Sequence, residues 1–141
     1  MRSHAGRQSI RIPVSEGIEL GGRLHVVSRE APVIVLFHGN GEVATDYESI
    51  ASLYTRMGIT LLVVDYRGYG HSDGTPTATN LVADAAGVWD HVPLLMNEQG
   101  LSPQRLFVMG RSLGCVPAIE IASRRPANLA GLIAESGFAL T

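Results

Sequence analysis

The sequence predicts an α/β fold: a mostly parallel sheet with helices on both faces, entered through an antiparallel hairpin. Four nearly continuous apolar runs point to it: "PVIVLFHG" (32–39), "ITLLVVDY" (59–66), "RLFVMG" (105–110) and "LAGLIAES" (129–136). They are rich in Val, Ile and Leu, as strands covered on both faces of a parallel sheet are. Patterns of helical period lie between the runs. Strand–helix–strand alternation of this kind implies right-handed crossovers and two helical layers.

The elements follow in chain order. Residues 8–27 read as two strands, since "SIRIPV" alternates and "LGGRLHVV" follows the turn-like "SEG". After the first apolar run, 45–57 predicts a helix whose stripe is Ile50, Leu53, Tyr54 and Met57. After the second run, 79–98 carries Leu81, Ala85, Val88, Trp89 and Val92 on one stripe, and Pro93 is expected to kink or end that helix. After the third run, 113–125 predicts a helix with Val116, Ile119 and Ala122 or Ser123 facing one way. Arg124 and Arg125 suit the negative end of that helix, and Pro126 stops it.

Composition bounds the class. A chain of 141 residues, 45% apolar and 17% charged, is expected to form one globular domain over 1–141. A net charge of −2 and the lack of any basic block speak against a nucleic-acid partner. The N-terminal stretch has charge but no apolar core, and no run reaches the roughly 20 residues that span a bilayer. One cysteine, Cys115, leaves no internal disulfide and fits a reducing compartment, so the expectation is a soluble, cytoplasmic protein. The five histidines, at 4, 25, 38, 71 and 91, show no ligand spacing, so neither metal nor cofactor is expected.

Chemistry enters at "FVMGRSLG" (107–114). Ser112 stands between Gly110, which closes an apolar strand, and Gly114, which opens a helical pattern. That is the layout of a nucleophile elbow. A strand reversing into a helix within a few residues brings the positions two before and two after the serine against backbone, where only glycine fits. The serine is then held strained, with its Oγ above the sheet. The alternative is a Gly-rich turn with Ser112 as an N-cap.

With "LFHGNGE" (36–42) and "VVDYRGYGHSDG" (63–74) preceding it in order, the chain resembles the N-terminal half of an α/β-hydrolase-fold serine hydrolase. The likeness is to the small esterase-like group with an "HGNGE" loop and a "GRSLG" elbow, and it covers essentially all 141 residues. The resemblance implies an incomplete α/β-hydrolase fold, the N-terminal portion of a single domain. It implies Ser112 as nucleophile and backbone N–H groups of Asn40 and Leu113 as the oxyanion hole. His38, Gly39, Gly41 and Arg111 are expected to line the site, with His38 supporting the loop rather than acting as base. Asp65 and Arg67 are expected to pair or cap backbone, and Cys115 to be a buried, inert thiol. His71 and Asp73 look like a dyad on paper but lie two residues apart on one loop.

A serine nucleophile needs a base and an orienter, in this fold in the order Ser, Asp or Glu, His. No histidine follows Ser112. Glu135 is the one carboxylate near a strand end beyond it, a position from which some members of the fold take the acid. "LAGLIAES" is too apolar for an exposed edge strand. The reading is therefore a truncated copy of a longer chain, a sheet completed by a second polypeptide, or a shortened protein with another role. The expected activity is cleavage of a small-molecule carboxylic ester, thioester or amide through an acyl-enzyme. The alternative is a catalytically inactive binding or interaction module. Substrate and oligomeric state are left open.

Overall fold

The structure, a computed structural model, describes residues 6–15, 17–39, 41–67 and 77–135. Within them six strands form one sheet in the order β1-β2-β4-β3-β5-β6. β1 (Gly6–Ser15) and β2 (Ile18–Val26) form the antiparallel hairpin, and β2 pairs antiparallel with β4 (Thr60–Val64). β4, β3 (Val33–Phe37), β5 (Leu106–Arg111) and β6 (Leu129–Glu135) run parallel.

Every residue of β3 and β4 is buried, and their side chains alternate between two cores. Val33, Val35 and Phe37 join a large core with α2 (Ala78–Glu98) and α3 (Cys115–Ser123). Ile34 and Leu36 join a smaller one with α1 (Glu48–Arg56) and the 3-10 turn before it, Ala44–Tyr47. Helices therefore cover both faces. Because β3, β4 and β5 are parallel neighbours, their C-terminal ends emerge at one edge of the sheet, where ligands bind in open α/β folds.

Two expectations need correction. Of the stripe expected on α1 Tyr54 faces inward, but Ile50, Leu53 and Met57 are 44%, 52% and 66% exposed. The inward line is Tyr47, Ala51 and Tyr54, rotated by about one residue. On α3, Ile119 stands exposed, and Cys115, Ala118 and Ile121 pack inward. Both helices carry apolar residues on more than one side, so periodicity alone leaves their rotation open. α2 continues through Pro93 to Glu98, so of the two outcomes expected there, a kink or an end, the end is excluded. Among the described residues β6 pairs with β5 on one side and has Leu132 and Ile133 exposed. Among the described residues no helix is long and apolar enough to cross a membrane.

Candidate active site

β5 ends at Arg111 and turns at once, through the 3-10 turn Ser112–Gly114, into α3. Ser112 is exposed, with φ at +54°. For a residue with a Cβ this left-handed conformation costs about 1–2 kcal/mol, so the surroundings must impose it. They do so through backbone contact on both sides. A Cβ on Gly110 would lie 2.6 Å from Cys115 Cα, and one on Gly114 would lie 2.6 Å from the Phe37 carbonyl carbon. Phe37 ends β3, so the turn is wedged against the neighbouring strand. The cap position of the turn is Arg111, not Ser112. Leu113 follows in the turn, where first-turn amides have no intrahelical acceptor and the helix dipole is positive. Cys115 is buried, its thiol 3.4 Å from the Gly110 carbonyl oxygen.

Hydrogen bonds tie down His38, Gly39 and Glu42 after β3. His38 is fully buried, its Nε2 2.9 Å from Asp65 Oδ1 and its Nδ1 3.0 Å from the Gly39 carbonyl oxygen. The same Asp65 oxygen accepts the Ala44 N–H at 2.6 Å, and the Tyr66 hydroxyl donates to the His38 carbonyl. The Glu42 N–H donates to the Gly39 carbonyl at 3.2 Å, closing a turn. The Gly39 N–H in turn donates to Glu42 Oε1 at 2.6 Å. Gly41, at φ +80°, supplies the left-handed residue inside that turn. A Cβ on Gly39 would lie 3.5 Å from Ser112 Cβ, so the loop after β3 runs beside the turn after β5.

Glu42 joins the two. Its Oε1 also accepts the Tyr47 hydroxyl at 2.8 Å, and its Oε2 pairs with the Arg111 guanidinium. Arg111 Nε lies 3.3 Å from Glu135 Oε1. Burial raises the Glu42 pKa, but hydrogen bonds from Tyr47, Gly39 and Arg111 outweigh it and hold the carboxyl below its usual 4.5. Burial, then the bond to Glu42, pushes the Tyr47 phenol up to about 12, so it remains a donor at neutral pH.

The structure thus brings Ser112, Leu113, Arg111, His38, Gly39 and Gly41 to one edge of the sheet. Asn40, His71 and Asp73 lie outside the described residues. Asp65 and Arg67 do not pair with each other. Asp65 takes His38 and a backbone amide, while Arg67 binds Asp84 of α2 through two bonds of 2.8 and 2.9 Å. Glu42 and Tyr47 were missed by sequence reasoning. The available signal was a carboxylate three residues after Gly39, the spacing at which a side chain reaches back to a turn amide. Among the described residues no group of three or more His, Cys, Asp or Glu side chains is placed to hold a metal ion.

Elsewhere, on β2, buried His25 has Nε2 without a hydrogen bond, 3.3 Å from Glu48 Oε2 on α1. Burial dominates and holds its pKa below the usual 6.5; Glu48 opposes this, and Arg23 and Arg7 reinforce it. Glu48 is itself held below 4.5, chiefly by hydrogen bonds from Arg23, against the opposing effect of burial.

A family profile described as serine aminopeptidase, S33, matches residues 28–139. An uncharacterized protein of Mycobacterium tuberculosis (strain H37Rv) is 30% identical over 136 residues, covering 95% of this chain and 46% of that protein. The alpha/beta hydrolase domain-containing protein 17C of Xenopus tropicalis is 38% identical over 95 residues, 64% of this chain and 29% of the frog protein. Among solved structures, the Pyrococcus furiosus esterase Pf2001 superposes with a TM-score of 0.74 at 18% identity, covering 94% of this chain and 52% of the esterase. The chain spans less than half the length of these two sequence relatives.

Proposed function

The chain belongs to the α/β-hydrolase family described as serine aminopeptidase, S33, and from that membership we propose that it is the N-terminal part of one hydrolase domain acting through an acyl-enzyme on Ser112. One observation carries the proposal. Ser112 is held at φ +54° between two glycines that admit no Cβ, against the loop that follows β3. An ordinary capping serine has no use for that strain.

In this reading Ser112 Oγ attacks the carbonyl carbon of an ester, thioester or amide. The hydroxyl proton passes to a histidine, and then to the leaving group as the bond to it breaks. Water then hydrolyses the acyl-serine. The negative charge on the tetrahedral oxygen needs fixed donors, and each such donor contributes roughly 10²–10³ in rate. The N–H groups of Leu113 and Asn40 fill that role. The Gly39 N–H is committed to Glu42 and leaves the task to its neighbour. His38, Gly39, Gly41 and Arg111 line the site. The histidine and the carboxylate that orients it belong to a C-terminal half.

The test is labelling of the full-length protein with a fluorophosphonate probe. Modification of Ser112, abolished in Ser112→Ala, is expected; an intact enzyme that takes no label would defeat the proposal.

A further inference from the structure

Building on Ser112 as nucleophile, we infer that Glu42 is a positioning residue: its carboxylate clamps the loop after β3 onto the elbow after β5.

The two segments lie far apart in sequence but end adjacent parallel strands. Glu42 engages both. Through Oε1 it accepts the Gly39 N–H at 2.6 Å and the Tyr47 hydroxyl at 2.8 Å. Through Oε2 it pairs with Arg111, the residue immediately before Ser112. The clamp is closed on the backbone side as well, since the Gly39 carbonyl takes the Glu42 N–H at 3.2 Å and faces His38 Nδ1 at 3.0 Å. Gly39 can therefore neither slide along the elbow nor rotate its peptide planes without breaking several bonds together. Ser112 lies alongside, its Cβ 3.5 Å from where a Cβ on Gly39 would stand.

Why a carboxylate? Gly39 and Tyr47 offer neutral donors and Arg111 a charged one, all converging on two oxygens. Only an ionised Asp or Glu accepts from all three, and bonds to charged groups are the short, strong ones. A glutamine could still accept from Gly39 and Tyr47, but it would turn its NH₂ group toward the guanidinium. An alanine releases both sides. This predicts a graded series in which the loop anchor and the elbow link are lost separately.

The experiment uses the full-length protein and the fluorophosphonate probe, with maximal labelling rate and half-saturating probe concentration measured separately. A shift of about 1 Å in a positioned group costs roughly 10²-fold. Glu42→Ala is therefore expected to lower the maximal rate by about that factor with little change in half-saturation. Glu42→Gln and Arg111→Ala should show smaller losses that do not add in the double variant, because each removes the same link. Melting temperature separates positioning from mere stability. The Arg111 pair is half exposed, so Arg111→Ala should barely move the melting temperature while slowing labelling.

Wild-type labelling rates in Glu42→Ala, with label still lost in Ser112→Ala, overturn the clamp alone. Labelling that survives Ser112→Ala overturns the nucleophile and this inference with it. Should Glu42→Ala fail to fold, undiminished rates in both Glu42→Gln and Arg111→Ala overturn the clamp.

Discussion

Gly114→Ala separates two physical arguments by sign. Gly114 has φ −62° and ψ −15°, an ordinary right-handed helical conformation. On backbone grounds alone, alanine there should stabilise by up to about 1 kcal/mol. The tertiary structure says the reverse. The new Cβ would lie 2.6 Å from the Phe37 carbonyl carbon and 2.9 Å from the His38 carbonyl oxygen, and it would overlap the Phe37 oxygen. These are backbone atoms of a buried central strand and have no rotamer to change. Overpacking costs about 1–3 kcal/mol and occasionally more. With rigid neighbours the expected loss is near 3 kcal/mol, or about 6–12 °C in melting temperature for a domain of this general size. Gly58→Ala is the control, since its φ is +84° and an added Cβ meets nothing within 4 Å. Its cost should be the left-handed penalty alone, about 1–2 kcal/mol. Urea or thermal unfolding of the full-length protein followed by circular dichroism measures both. A Gly114→Ala variant as stable as the parent would mean that the elbow does not press on β3, and the site would lose its geometric basis.

Strain at Ser112 and burial of His25 carry two more testable outcomes. Ser112→Gly removes the left-handed strain and should raise stability by about 1–2 kcal/mol while abolishing fluorophosphonate labelling; a fall in melting temperature would contradict the strain. Acid should act on stability in two stages. Buried His25 sits below its usual 6.5, so the unfolded chain takes up that proton first, and stability should decline as pH falls from 6.5 toward the folded value. Glu42 and Glu48 are held below 4.5, so their contributions are present above 4.5 and lost as pH falls through their folded values. Melting temperature against pH, repeated for His25→Leu, should lose the upper decline only; an unchanged upper limb would refute the assignment to His25.

Most of the elements were legible in the residues. β3 and β4 announce themselves as continuous Val, Ile and Leu runs, because a strand buried on both faces has no polar side to show. The "GRSLG" turn was legible for a related reason, since glycines at 110 and 114 mark where a Cβ would strike backbone. The rotations of α1 and α3 were not. Their apolar residues exceed one stripe, and only the packed sheet selects Ala51, or Ala118 and Ile121, as the inward side. Which of the two outcomes Pro93 would bring, a kink or an end, was not legible either; α2 continues past it to Glu98.

Local order, then, was written in the sequence: the strands and helices of the described residues, and the glycines that flank Ser112, follow from side-chain period and backbone sterics. The partners across the site were decided by tertiary structure alone. Glu42 meets Arg111, 69 residues away, and Asp65 meets His38, 27 residues away, because the strand order sets β3 between β4 and β5. Spacing along the chain carries no trace of such pairs, since a charged side chain finds its partner by where the sheet delivers it.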